Sequence, residues 1–246
     1  MKKLQSLCYV GMLLAMTLPA YGQDAETSAQ PGLAASVRLG TLGYGAELDY
    51  PLNSYWNVRV QVNSFNYDDD FNESDIEYKG ELDLSTFGAL VDLRPFEGTF
   101  KLTAGLFSNK NSLSAGASSA ADKVFDIGGQ RFSGSASNPL ALSAQVDLGK
   151  SSAGYVGLGW GNSYETGLTF NFELGALLSG SATANLTASG TAFSVTQPQL
   201  QFDVQGSSAA AVQFRQELAI EQASLQEDLD DFEVYPVVAL GLGYRF

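Results

Sequence analysis

The 246-residue chain contains no histidine, and its single cysteine, Cys8, lies close to the amino terminus. Without an imidazole or a second thiol, neither a Ser-His-Asp nor a Cys-His relay can be assembled, and imidazole or thiolate zinc sites are excluded as well. Positive charge is also scarce. Thirteen Lys and Arg stand against 27 Asp and Glu, for a formal net charge of −14, which argues against a nucleic-acid partner. Beyond the first residues no stretch of eighteen apolar residues occurs, so a helical membrane span is excluded. Carboxylate pairs remain, as Asp230 with Asp231 and Asp68 with Asp70. On surface segments they lack the desolvated pocket that would separate their pKa values for acid–base work. The chain therefore reads as a non-enzyme with no cofactor.

The amino terminus carries the features of a secretory signal. Lys2 and Lys3 precede an apolar stretch from Leu7 to Leu18, and Ala20-Tyr21-Gly22 places small residues ahead of a cleavage point before Gln23. The apolar stretch is too short to span a bilayer as a helix. Cleavage removes two lysines and no acids, shifting the net charge from −14 to −16, and it takes away the only thiol. Cys8 stands too early to be a lipoprotein acylation site. The expected organisation is a signal peptide over 1–22, a short polar linker over 23–31, and one domain over 32–246.

What is present in that domain is alternation. In the final segment Val238, Leu240, Leu242, Tyr244 and Phe246 share one face of a strand, while Val237, Ala239, Gly241, Gly243 and Arg245 share the other. An apolar face about ten residues long is what a tilted strand needs to cross the hydrocarbon layer. Trp56, Val58, Val60 and Val62 alternate in the same way with Asn57, Arg59, Gln61 and Asn63, a polar set that cannot face lipid. Ala35, Val37 and Leu39 alternate with Ser36 and Arg38, and Ala46, Leu48 and Tyr50 with Glu47 and Asp49. A fourth segment, Glu77 to Leu93, starts with Leu82 and Leu84 and continues with Phe87, Ala89, Val91 and Leu93 on the opposite parity, which predicts a bulge near Ser85-Thr86. Further segments begin at Phe100, end over Ala153 to Trp160, and run from Leu168 to Ala176. Counting the carboxy-terminal strand, eight alternating segments result.

These features predict an all-β fold, an eight-stranded antiparallel transmembrane up-and-down β-barrel with long extracellular loops and one extracellular helix. Tyr50, Tyr55, Trp56, Phe96, Phe100, Trp160, Tyr164, Tyr244 and Phe246 cluster at segment ends, as an interfacial girdle would. Short turns near 51–54, 94–98 and 161–166 fall on one side, expected to be periplasmic together with both termini. The long connections, 108 to about 141 with a hairpin at Gly128-Gly129 and 179–231, fall on the other. A ten-stranded barrel follows instead if one of those hairpins descends into the membrane. Within the last connection Phe214, Leu218, Leu225, Leu229 and Phe232 recur at helical spacing, predicting a helix over about 208–231 whose apolar stripe packs on its own barrel rim or neighbouring loops.

The terminal Tyr244-Arg245-Phe246 matches the aromatic-x-Phe ending of Gram-negative outer-membrane β-barrels, and the domain as a whole resembles the small barrel superfamily that includes the OmpA transmembrane domain, OmpX and OmpW-like proteins. The resemblance implies that Tyr244 and Phe246 are the signal read by the barrel assembly machinery. It further implies a monomer in the cell outer membrane, in contact with outer-membrane lipid and lipopolysaccharide. Small barrels of this class that are enzymes depend on histidine, which this chain lacks.

Two segments invite closer reading. The acidic stretch Asp68 to Asp75 matches an EF-hand loop at Asp68, Asp70 and Asn72, but Glu73 replaces the required glycine and Lys79 the closing glutamate. It is read as a solvated loop, and no metal site is expected. Inside the barrel, Arg38, Glu47, Asp49, Arg59 and Gln61 form a candidate lumen polar cluster able to bury ion pairs. An eight-stranded barrel leaves just enough interior for side chains to fill. The expected role is structural or surface-interacting, with the lumen plugged. The OmpW resemblance implies the alternative, a narrow conduit for small or hydrophobic solutes.

Overall fold

The computed structural model describes residues 32–73, 76–119, 123–161 and 166–246. The predicted signal peptide and linker, with Cys8, lie outside the described residues, as does Tyr164 of the predicted girdle. The chain runs β1 (Ala34–Gly40), β2 (Gly43–Pro51), β3 (Trp56–Glu73), β4 (Ile76–Leu93), β5 (Phe100–Asn109), β6 (Ser112–Ser119), β7 (Val124–Ile127), β8 (Gln130–Gly134), β9 (Leu140–Asp147) and β10 (Ser152–Gly161). It continues through β11 (Gly167–Leu178), β12 (Thr183–Ser189), β13 (Thr191–Ser194), β14 (Phe202–Asp203), α1 (Ala209–Asp230) and β15 (Val234–Arg245).

Eight strands close a barrel: β1, β2, β3, β4, β5, β10, β11 and β15 pair antiparallel in that order, and β15 returns to β1 with Leu39 opposite Leu240. Every barrel strand alternates, and the apolar set points outward. Val37, Leu48, Val60, Phe87, Leu106, Val156, Phe170 and Leu240 are all exposed, whereas Arg38, Glu47, Arg59, Asp92, Lys101 and Glu173 are buried. A continuous apolar exterior of this kind is not a surface that water tolerates.

Both described ends of the barrel chain lie at one rim, where Ala34 faces Arg245 and Gly167 faces Arg245 from the other side. The β2–β3 and β4–β5 connections share that rim, whereas the two-residue Thr41-Leu42 turn between β1 and β2 lies at the other. After β2, Asn53 Oδ1 accepts the backbone N–H groups of Tyr55 (2.8 Å) and Trp56 (3.0 Å), an Asx-type turn that starts β3. Most of the predicted aromatic girdle gathers here, with ring centroids 5.5 Å apart for Phe100–Trp160 and 5.3 Å for Tyr244–Phe246.

At the opposite rim the structure departs from the sequence reading in two ways. The predicted bulge near Ser85-Thr86 is absent: β3 and β4 keep one register through Asn63–Thr86, Ser64–Ser85 and Phe65–Leu84. What changes there is the neighbour of β4, which pairs with β5 over Thr86–Leu93 and with β6 over Glu77–Asp83. Leu84 is buried on the same face as Leu90, so the apolar residues switch faces because the surroundings switch, with no slip of the strand. The acidic stretch is likewise not a loop. Asp68, Asp69 and Asp70 lie within β3, paired with Glu81, Gly80 and Lys79, an extended backbone that cannot wrap a cation as an EF-hand loop does.

The long β3–β4 hairpin begins a raised module. β6, β9 and β12 extend its sheet, and β7, β8, β13 and β14 form a second, four-stranded sheet. The β7–β8 turn uses Gly128 and Gly129 at φ +60° and +77°, a conformation open to glycine and suited to a two-residue hairpin. Helix α1 starts at the cap Ser208, whose Oγ accepts from the Ala211 N–H at 3.2 Å. Its stripe is covered by the module. Phe214 sits in a core with Phe125, Ile127, Phe132, Leu140 and Val204, Leu218 packs beside it, and Leu225 and Leu229 pack on Val146, Ala182 and Ala184. Phe232, beyond the helix, is exposed.

Candidate functional site

The barrel interior carries the densest polar chemistry among the described residues. Arg59, on β3, reaches across the lumen to carboxylates on three other strands: Nη1 to Glu47 of β2 at 2.6 Å, Nε to Asp92 of β4 at 2.7 Å, and Nη1 to Glu173 of β11 at 2.9 Å. Arg38 of β1 pairs with Glu47 and lies 3.4 Å from Glu173. Lys101 of β5 approaches Asp92 at 3.3 Å and Glu173 at 3.8 Å. Three cations therefore face three carboxylates, and six charges cancel within the barrel. The Arg59 side chain is 1% exposed and that of Asp92 0%. Charges so buried persist only when each has a partner. Thr103 adds a hydroxyl that donates to Asp92 at 2.7 Å.

Nearer the rim that carries the termini, Arg245 pairs with Asp49, donates to the Gly32 carbonyl at 2.7 Å, and is joined by Asn57, whose amide donates to Asp49 at 2.9 Å. Toward the other rim the interior turns apolar: Leu42, Leu90, Phe107, Ala153, Tyr155, Leu177 and Val237 form one buried cluster. Tyr155 joins the two layers. Its ring lies edge-on to Phe107 at 5.4 Å, and its hydroxyl donates to Glu173 at 2.5 Å. Glycines on neighbouring positions leave room for these side chains. A Cβ at Gly175 would collide with the Tyr155 hydroxyl, one at Gly88 with the Phe107 ring, and one at Gly159 with the Lys101 stem.

Of the residues expected to form a lumen cluster, Arg38, Glu47 and Arg59 belong to the central network, whereas Asp49 belongs to the separate Arg245 pair. Gln61 is buried, and its Oε1 has no hydrogen-bond partner among the described residues. Asp92, Lys101 and Glu173 complete the network; alternation in β5 sets Lys101 on the face opposite Phe100 and Leu102, but none of the three belongs to the expected cluster. Each is a charged residue between two apolar ones, Val91 and Leu93, Phe100 and Leu102, Phe172 and Leu174, and that signal was available. Tyr244 and Phe246 are exposed on the exterior at the terminal rim. No group of three or more Asp, Glu, Cys or His side chains suited to a metal ion occurs among the described residues.

No protein-family model matches the chain. No curated protein matches it either. Among solved structures it is similar to CarO of Acinetobacter baumannii, with a TM-score of 0.54 and 20% identity over 87% of this chain and 98% of that one. CarO2 of the same organism gives the same TM-score at 19% identity, with the same coverage. The likeness is one of fold, a small closed barrel of eight antiparallel strands like that of the outer-membrane barrel CarO.

Proposed function

We propose that this chain is a monomeric outer-membrane barrel with a structural or surface-interaction role, its lumen plugged by its own side chains and its raised module held at the cell surface. The exterior supports the membrane reading, because a belt of exposed Val, Leu and Phe surrounds a charged interior, the reverse of a water-soluble barrel. The fold shared with CarO supports the outer membrane as its place. The terminal rim, with its short turns and aromatic rings, then faces the periplasm, and Tyr244 and Phe246 stand ready for the barrel assembly machinery.

The observation that carries the plug is Arg59, tied at once to Glu47, Asp92 and Glu173 across the lumen axis. A conducting path would have to part these pairs and then pass the layer of Phe107, Tyr155 and Leu177 above them. No catalytic role is assigned. Planar-bilayer recording tests the reading. The wild-type chain is expected to conduct ions poorly, and Arg59→Ala to raise conductance. Large, steady wild-type currents would instead favour a conduit for small solutes.

A further inference from the structure

The pairing register sets four outward residues in one row across the barrel: Tyr44 of β2 faces Ser64 of β3, Ser64 faces Ser85 of β4, and the Lys110 N–H, just past β5, donates to the Ser85 carbonyl at 2.9 Å. The next row toward the membrane centre reads Ala46, Val62, Phe87 and Ser108, and the one after it Leu48, Val60, Ala89 and Leu106. Apart from Ser108, polar side chains thus stop at the edge of the apolar belt. The small serines between Tyr44 and Lys110 leave a groove of about 510 Å³. It continues through Val62 and Phe87 into a larger apolar groove of about 700 Å³ along Ala46 and Val60.

What singles out this row, together with Ser108 one row below, is that its donors are unspent. The Lys110 ammonium has no ion-pair partner among the described residues, and the hydroxyls of Ser64, Ser85 and Ser108 make no hydrogen bond to protein there. The contrast is with Arg38, Arg59, Lys101 and Arg245, inward-facing basic residues of the barrel strands that are committed to carboxylates inside it. One free cation beside three hydroxyls, at the level where hydrocarbon gives way to head groups, fits a tetrahedral dianion attached to an acyl chain.

We propose that this groove binds a phosphate-bearing lipid of the outer leaflet, its phosphate on Lys110 and the serine hydroxyls and one acyl chain along Val62, Phe87 and Ala46. The inference rests on the outer-membrane reading above and adds to it a specific site. Each hydroxyl donates to a phosphate oxygen and Lys110 supplies the countercharge, so affinity should fall with ionic strength. The apolar groove selects against phosphate that carries no chain.

Native mass spectrometry of the folded chain in detergent micelles, titrated with diphosphoryl lipid A, tests the site. Wild type is expected to retain bound lipid, and Lys110→Glu to weaken binding at least tenfold. Ser85→Ala should weaken it severalfold, and Lys150→Glu, an exposed lysine outside the groove, should leave it unchanged. Inorganic phosphate should give no adduct, and dephosphorylated lipid A should bind no better to wild type than to Lys110→Glu. Equal retention of diphosphoryl lipid A by wild type and Lys110→Glu, or equal loss with Lys150→Glu, would overturn the site. Because heat-modifiable migration and insertion into vesicles are scored separately for each variant, failure of the site is distinguishable from failure of the membrane reading.

Discussion

The barrel and the raised module are built from the same alternating strands, yet they are opposite in polarity. In the barrel the charged set is inside, with Arg59 among three carboxylates, and valines and leucines cover the exterior. In the module the apolar set is inside, with Phe132 and Phe214 edge to face at 5.0 Å, and acids cover the outside of α1. Strand β4 belongs to both. Below Thr86 its outward residues are Phe87, Ala89, Val91 and Leu93; above Ser85 its apolar residues, Leu82 and Leu84, lie on the inward parity in an unbroken register. Period two fixes which residues share a face, and the solvent on each side decides which face is apolar. On the proposed membrane reading, the change of parity along one strand marks the level at which lipid ends.

The largest effect on this contrast is expected from removing its central cation. Arg59→Ala leaves Glu47, Asp92 and Glu173 crowded and underpaired, and loss of one partner from a buried pair costs about 3 to 5 kcal/mol. Thermal unfolding followed by heat-modifiable migration should show a clear fall for this variant, and almost none for Asp69→Ala on the exposed part of β3. An unchanged transition in Arg59→Ala would mean that the interior charges do not hold the barrel.

Phe214→Ala attacks the other region. Truncating this fully buried ring leaves a cavity among Phe125, Phe132 and Val204, at a cost of about 3 kcal/mol. Hydrogen exchange should accelerate in α1 and β8 while the barrel strands keep their protection. A matching loss in β1 and β15 would show that the two regions do not fold as separate units.

A smaller effect sharpens the boundary of the module. Strand β12 has a sheet partner on one side only, and α1 closes the other: Gln226 accepts the Ala184 N–H at 3.0 Å and donates to the Ala182 carbonyl at 2.8 Å, while Gln222 accepts the Leu186 N–H at 3.1 Å. Side chains one helical turn apart thus blunt a strand edge that would otherwise template pairing with another chain. Replacing both glutamines with alanine should cost about 1 kcal/mol per lost hydrogen bond. Light scattering should also detect more self-association, and no change in either quantity would remove the edge-covering role.

Much of this contrast was legible in the sequence. The clean alternation of Trp56 to Asn63, the Gly128-Gly129 hairpin and the helical spacing of Phe214, Leu218, Leu225 and Leu229 each predicted the element observed. The change of parity in β4 implies a bulge only if one solvent surrounds the whole strand, and it does not. The spacing of Asp68, Asp70 and Asn72 resembles an EF-hand loop and so predicts a solvated loop, yet pairing with β4 holds this stretch extended. The interior network was only half visible: alternation reports that Arg38 and Glu47 face inward, but which strands meet across the lumen depends on closure. Glu173 reaches Arg59 only because β11 and β3 lie on opposite walls.

The most direct test of the account is a lipid-contact scan along β4. The only cysteine is Cys8, so in a Cys8→Ser background single cysteines carrying a fluorophore can be placed from Glu81 to Leu93 without interference. In bilayers, a lipid-soluble quencher should reach positions 87, 89, 91 and 93, miss 88, 90 and 92, and fall away from 85 upward with the parity unbroken. Quencher contact at 82 and 84 would contradict the account, placing those leucines in lipid and restoring a slip of the strand at Ser85-Thr86.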